Sequence, residues 1–118
     1  MRDHRKLRAF ELADALVLAL YQATKTFPRE ELFGLTSQLR RAAVSIASNI
    51  VEGCGRNSEA DFVHFLHMAY GSSREVEYQV SLARRLGYLG TEDAGALEAQ
   101  SEEVSKVLNG LIRSFRPA

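Results

Sequence analysis

The sequence has little that interrupts a helix and little that carries chemistry. Only two prolines, Pro28 and Pro117, occur in 118 residues. Nearly the whole length between them can therefore be helical, since proline removes a backbone donor and clashes with the preceding turn. A single cysteine, Cys54, excludes an intrachain disulfide and a cysteine-built metal site, and fits a reducing compartment. Long apolar runs are missing too. The best candidate, Leu12 to Tyr21, is broken by Asp14 and is about half the ~20 residues that a membrane span needs. The basic start, Met1-Arg2-Asp3-His4-Arg5-Lys6, leads into no uninterrupted apolar segment, so the chain reads as cytoplasmic with no membrane partner. Finally, neither sign of charge is in excess: 15 Lys and Arg balance 15 Asp and Glu. Neutrality argues against strong, indiscriminate nucleic-acid binding, which rests on phosphate neutralisation. A local basic patch remains open.

What is present is apolar periodicity. Apolar residues make up 46% of the chain, enough for one packed domain over residues 1–118 without metal or disulfide staples. Phe10, Ala13, Leu16, Val17, Leu20 and Tyr21 recur at helical spacing, predicting a first helix over about 7–26 that ends at Phe27-Pro28. A second helix over about 36–52 takes Thr36 as its N-cap, and Gly53 and Gly55 supply left-handed stop positions. Leu39, Ala43, Ile46 and Ile50 form its inner face, beside Ala42. Val44, Ala47 and Val51 widen the apolar arc beyond what a bundle corner needs, which predicts a second buried surface, a contact with another subunit.

The third helix, about 58–86, opens at Ser58 with Asp61 in a weak capping box. Phe62, Phe65, Leu66, Ala69, Val76, Val80 and Ala83 form its inner stripe. The fourth, about 91–115, opens at Thr91, with Glu92 and Asp93 where the helix dipole favours negative charge. Ala94, Leu97, Val104, Val107, Leu108, Leu111, Ile112 and Phe115 give its seam. Short connections predict an all-α, antiparallel up-down-up-down four-helix bundle.

The segment Gln38-Leu39-Arg40-Arg41-Ala42-Ala43-Val44-Ser45-Ile46-Ala47-Ser48-Asn49-Ile50-Val51-Glu52-Gly53 resembles the signature of one family. Its members are the four-helix-bundle proteins encoded by intervening sequences of bacterial 23S ribosomal RNA genes. Phe27-Pro28, Glu31, Gly34-Leu35, Arg56, Phe65-Leu66, Ala69, Gly71-Ser72, Glu75, Glu77 and Leu86-Gly87-Tyr88-Leu89 match in order, so the likeness covers nearly the whole chain. Ala47 stands where the family usually has proline, Val51 where it has alanine, and Phe10 where it often has tryptophan. Losing the proline is expected to leave the second helix straighter. The resemblance implies a four-helix bundle and a ring-like homo-oligomer, a pentamer, and implies no reaction and no cofactor. The chain is also similar to the accessory subunit of diversity-generating retroelements, a basic bundle that works with a reverse transcriptase and RNA. That likeness makes RNA, or an RNA-processing protein, a candidate partner.

Candidate sites follow from polar residues set against this frame. Arg40, Arg41, Asn49 and Glu52 are the polar members of the signature, and hydrogen bonding inside the bundle or across subunits is favoured over an RNA contact. Arg41 and Glu52 lie roughly 16 Å apart along a helix axis, too far to pair. Glu75 and Glu77 point to different faces, which argues against a catalytic carboxylate pair. Glu77 sits near the inner stripe and is expected to accept from Arg40 or Arg41. His64 and His67, one turn after Asp61, have metal-compatible spacing but lie off the inner stripe, which favours a solvated face. Ser45 and Ser48 have no histidine in register, and no phosphate-binding loop follows a strand. One bundle pole gathers Arg2, Arg5, Lys6, Arg8, Arg56, Arg113 and Arg116, beside the N-terminus of the third helix. It reads equally well as an RNA contact or as solubilising charge. The sequence thus points to a non-enzymatic, self-assembling bundle that contacts RNA, or alternatively to a protein-interaction scaffold or regulator without nucleic-acid binding.

Overall fold

The computed structural model describes residues 1–117. Four helices form α1 (Arg8–Ala23), α2 (Leu35–Cys54), α3 (Glu59–Arg85) and α4 (Thr91–Arg113). Each packs on the two that flank it, α1 and α3 both against α2 and α4. The short links between successive helices make them antiparallel. Leu16, Leu20, Leu39, Ile46, Ile50, Phe62, Leu66, Val76, Val80, Val104 and Leu108 fill one shared core.

Helix ends show where side chains outside the periodic stripes decide the backbone. Between α1 and α2 the chain makes two 3-10 turns, Thr24–Thr26 and Arg29–Glu31. α2 then starts before Thr36, which is helical and buried instead of capping. The capping acceptor is Glu31: its Oε1 accepts from the Leu35 N–H at 3.1 Å. A glutamate four residues ahead satisfies the first orphan donor of a helix that begins one residue before Thr36. Ser58 does cap α3, its Oγ accepting from Asp61 N–H at 3.1 Å. At α4 the cap position is Gly90, which offers no side-chain bond, so Thr91 is the first helical residue and not the cap.

The glycines also redistribute. Gly53 lies inside α2 and is buried, and Gly55 has φ −80°, so neither takes a left-handed conformation. Gly53 is required by packing: a Cβ there would sit 2.8 Å from the Cβ of Phe65. It brings α2 close against the first turns of α3. The left-handed stop is Gly87, with φ 79°. Tyr88 N–H donates to Ala83 O at 2.9 Å and Gly87 N–H to Arg84 O at 3.0 Å, the paired bonds that close a helix C-terminus around such a glycine.

Several serines bond across the helix seams. Ser73 and Ser105 join α3 to α4 through their hydroxyls at 2.8 Å, and the Ser105 hydroxyl donates to Glu77 Oε2 at 2.5 Å. Ser45 and Ser72 join α2 to α3 at 2.9 Å.

Candidate functional site

Two surfaces emerge from the packing. One is the flank where α1 meets α2. Tyr21 on α1 is 41% exposed and Leu18 68%, while Val44 and Val51 on α2 are each 38% exposed. Their helical positions put Tyr21, Leu18, Val44 and Val51 on one side of the bundle, with half-buried Phe10, Val17 and Ala47 beneath them. The Arg40 guanidinium marks that side, 4.7 Å from the centroid of the Tyr21 ring. It also donates through Nε to Thr24 Oγ1 at 2.8 Å. The result is a largely apolar ridge along the bundle, interrupted on α1 by exposed Asp14 and bordered by Arg40. Of the residues expected at a subunit contact, Val44 and Val51 stand on its crest and Ala47 lies partly inside.

The second surface is the pole formed by the chain start, the α2–α3 turn and the end of α4. Arg2 N–H donates to Cys54 O at 2.8 Å. Its guanidinium lies 4.1 Å from the Phe62 ring centroid and 5.6 Å from that of Phe115. Arg5 reaches Asp3 through Nε at 3.0 Å and Nη2 at 3.1 Å. This bond holds the Asp3 carboxyl below its ordinary range, chiefly through the guanidinium and then through the Arg5 backbone N–H. Arg8 donates to Glu103 at 2.7 Å, tying α1 to α4. Arg56 pairs with Glu52 at 3.2 Å and lies over the Phe65 ring. Much of the pole's positive charge is thus matched within the chain, although exposed pairs of this kind are worth only about 0–1 kcal/mol and can exchange partners. Among the described residues Lys6, Arg113 and Arg116 are exposed and enter none of the ion pairs.

The signature polar residues separate by role. Arg40 is spent on α1. Asn49 Nδ2 donates to Ser45 O at 2.8 Å and to its Oγ at 3.0 Å, which keeps Asn49 within α2. Arg41 stays exposed in the α2–α3 groove that it lines with Gln38, Ala42, Ser45 and Glu75. Glu77 does not meet Arg40 or Arg41. It turns toward α4, where Ser105 donates to it, and Arg74, one turn back on α3, lies 3.7 Å away. The reason is rotational: Glu77 falls on the α4 side of α3, whereas the arginines belong to α2 surfaces on the far side. Sequence periodicity identifies the inner stripe but does not say which neighbour borders each flank.

His64 and His67 are both exposed on α3, and His64 meets the Phe65 ring edge-on at 5.7 Å. Among the described residues no group of three His, Cys, Asp or Glu side chains converges as metal ligands would. Cys54 is buried, and burial pushes its thiol up from the ordinary cysteine value. No described helix is long and apolar enough to cross a membrane.

Comparison with known proteins gives the fold a family. Residues 5–110 match the model of the 23S rRNA-intervening sequence protein family, and the chain belongs to it. A solved protein of unknown function from the S23 ribosomal protein family of Bacteroides thetaiotaomicron superposes with a TM-score of 0.82 at 26% identity. The match covers 89% of this chain and 95% of that one. No curated protein matches the chain.

Proposed function

We propose that this member of the 23S rRNA-intervening sequence protein family is a non-enzymatic module that assembles with copies of itself and acts by contact. The observation that supports assembly is the α1–α2 ridge, where Leu18, Tyr21, Val44 and Val51 stay 38–68% exposed on one flank. Leaving such a strip in water forfeits burial worth roughly 25 cal/mol per Å². A second copy covering it recovers that gain, and a ring such as the pentamer that the family resemblance suggests covers the strip on every subunit.

The contact partner in this proposal is RNA, or a ribonucleoprotein, met at the basic pole. Lys6, Arg113 and Arg116 are the cations available without displacing an internal partner. A ring repeats them around one rim, so a modest patch on one chain becomes a multivalent one. The test is a salt series of RNA binding by the assembled, RNase-treated protein. Affinity that falls steeply with salt supports the pole as the contact, and absence of binding at low salt removes it. The alternative, a protein-interaction scaffold without nucleic-acid binding, is favoured by one observation: Arg2, Arg5, Arg8 and Arg56 are already engaged with aromatic rings or carboxylates of the same chain.

A further inference from the structure

Residues 1–6 lie across the basic pole as a strap. Asp3 caps its 3-10 turn, His4–Lys6, and the Arg5 guanidinium returns to the Asp3 carboxylate through Nε and Nη2. Lys6 N–H donates to Asp3 O at 3.1 Å. These bonds hold the strap to itself. Its holds on the bundle are few. Among the described residues, Arg2 N–H to Cys54 O at 2.8 Å is its one hydrogen bond to any of the four helices. The Arg2 guanidinium adds its stack on the Phe62 and Phe115 rings, and His4 meets Phe10 edge-on at 4.7 Å.

What lies beneath is sealed. Phe62 is 1% exposed and Cys54, the last residue of α2, is 2% exposed. Burial raises the Cys54 thiol most, and the side-chain charges that act on it next, Arg2 downward and Asp3 upward, both belong to the strap. The thiol therefore lies under these residues. Beside them, Val63, Ile112 and Phe115 line a groove of about 410 Å³ between the start of α3 and the end of α4. Phe115 is common to both, so the groove reaches the ring that Arg2 approaches.

We propose that residues 1–6 open as a unit while the four helices stay folded, and that this opening governs access to Cys54. Segments held by few contacts open locally at far less cost than global unfolding. The closed strap keeps the thiol from oxidants and alkylating reagents, which need a reachable thiolate. The open strap bares the Phe62 and Phe115 rings where the groove ends, and carries Arg2, Arg5 and Lys6 off the bundle as a basic arm. Opening of this kind needs no RNA at the pole.

The test is thiol labelling of the full chain with an aromatic disulfide, over a urea series below the unfolding transition. The Cys54 thiolate attacks the reagent, forms a mixed disulfide and releases a coloured thiolate whose absorbance gives the rate. Wild type should label at a rate almost flat with urea, because the opening exposes little surface. Arg2→Ala should label on the order of 10-fold faster with the same flat slope, since no cation then clasps the rings. Val80→Ala, a loss of core packing near the far end of α3, should lower the urea midpoint and leave the labelling rate unchanged. A rate that climbs with urea as steeply as unfolding does, and rises in Val80→Ala, overturns the proposal, because only the unfolded chain then exposes the thiol. Arg2→Ala labelling at the wild-type rate overturns it too, because the route to Cys54 then bypasses the strap. So does a thiol that stays unlabelled below the transition in both chains.

Discussion

The Tyr88 hydroxyl donates to Glu31 Oε2 at 2.8 Å, which ties the entry of α2 to the turn between α3 and α4. The same carboxylate accepts the Leu35 N–H, so one glutamate caps a helix and joins two loops. The pair titrates in opposite directions. Glu31 is held below its ordinary range, first by the Leu35 N–H and then by Tyr88. Tyr88 is raised, first by its bond to Glu31 and then by burial.

A pH dependence follows with a definite sign. A carboxyl depressed by folding adds stability above its unfolded value, about pH 4.3, and loses it as pH falls through the lower folded value. A raised tyrosine adds stability below about pH 10 and loses it as pH climbs through the folded value. Thermal melts should therefore show wild type losing stability below about pH 4 more steeply than Glu31→Gln. Above pH ~10 it should lose stability more steeply than Tyr88→Phe. Parallel pH profiles for wild type and both variants would show that the contact contributes nothing.

Two glycines within helices should respond oppositely to alanine. Gly95 in α4 has nothing within 4 Å of an added Cβ, so Gly95→Ala should gain about 0.5–1 kcal/mol from helix propensity. At Gly53 the new Cβ meets Phe65 Cβ at 2.8 Å and the Phe62 carbonyl oxygen at 3.4 Å. Overpacking of that kind costs about 1–3 kcal/mol and should outweigh the propensity gain. Urea unfolding measures both, and a stabilised Gly53→Ala would mean that α2 and α3 can part at no cost.

Helix number, order and core faces were legible because apolar spacing encodes them directly. Leu39, Ala43, Ile46 and Ile50 needed only a period of 3.6 to be placed inside. What escaped depends on neighbours distant in sequence. Thr36 looked like a cap because local chemistry favours it, yet the helix already begins at Leu35, whose N–H donates to Glu31. Gly53 looked like a stop signal because glycine readily takes the left-handed conformation that ends helices, whereas its absent side chain serves contact with Phe65. Ser73, Ser101 and Ser105 are buried and carry no apolar signal. Ser73 and Ser105 find each other across two helices, while Ser101 bonds back to Leu97 O at 2.9 Å. No spacing rule could show that Arg2 lies over Phe62 or that Arg8 pairs with Glu103.

That distinction among pole cations leads to a sorted mutational series. In RNA-binding assays, replacing Lys6, Arg113 and Arg116 together by glutamine should lower the salt slope by about 0.9 for each phosphate no longer neutralised. Replacing Arg8, whose charge is matched by Glu103 at 2.7 Å, should change the slope little. Equal effects from the two sets would mean that the internal pairs dissolve on binding, and no effect from either would direct RNA away from this pole.

The ridge offers the sharpest separation of folding from assembly, because Val44 and Ala47 are adjacent on it but differ in depth. Val44 is 38% exposed, so a glutamate there can keep its charge in water and should cost the monomer less than a charge at Ala47 would. Ala47 packs partly against the core, and a charge there risks several kcal/mol of unpaired burial. Val44→Glu is therefore the cleaner probe. In an assembly that covers the ridge, the same carboxylate loses its water, and association should fall while helicity and melting of the separated chain stay near wild type. Light scattering reads the mass and circular dichroism the fold. A Val44→Glu chain of unchanged mass would mean that the ridge stays in water and that any assembly is built through another face. A lower mass with an intact fold would place the subunit contact on α1 and α2, and Leu18→Glu, at a residue 68% exposed, should then reproduce it from the opposite helix.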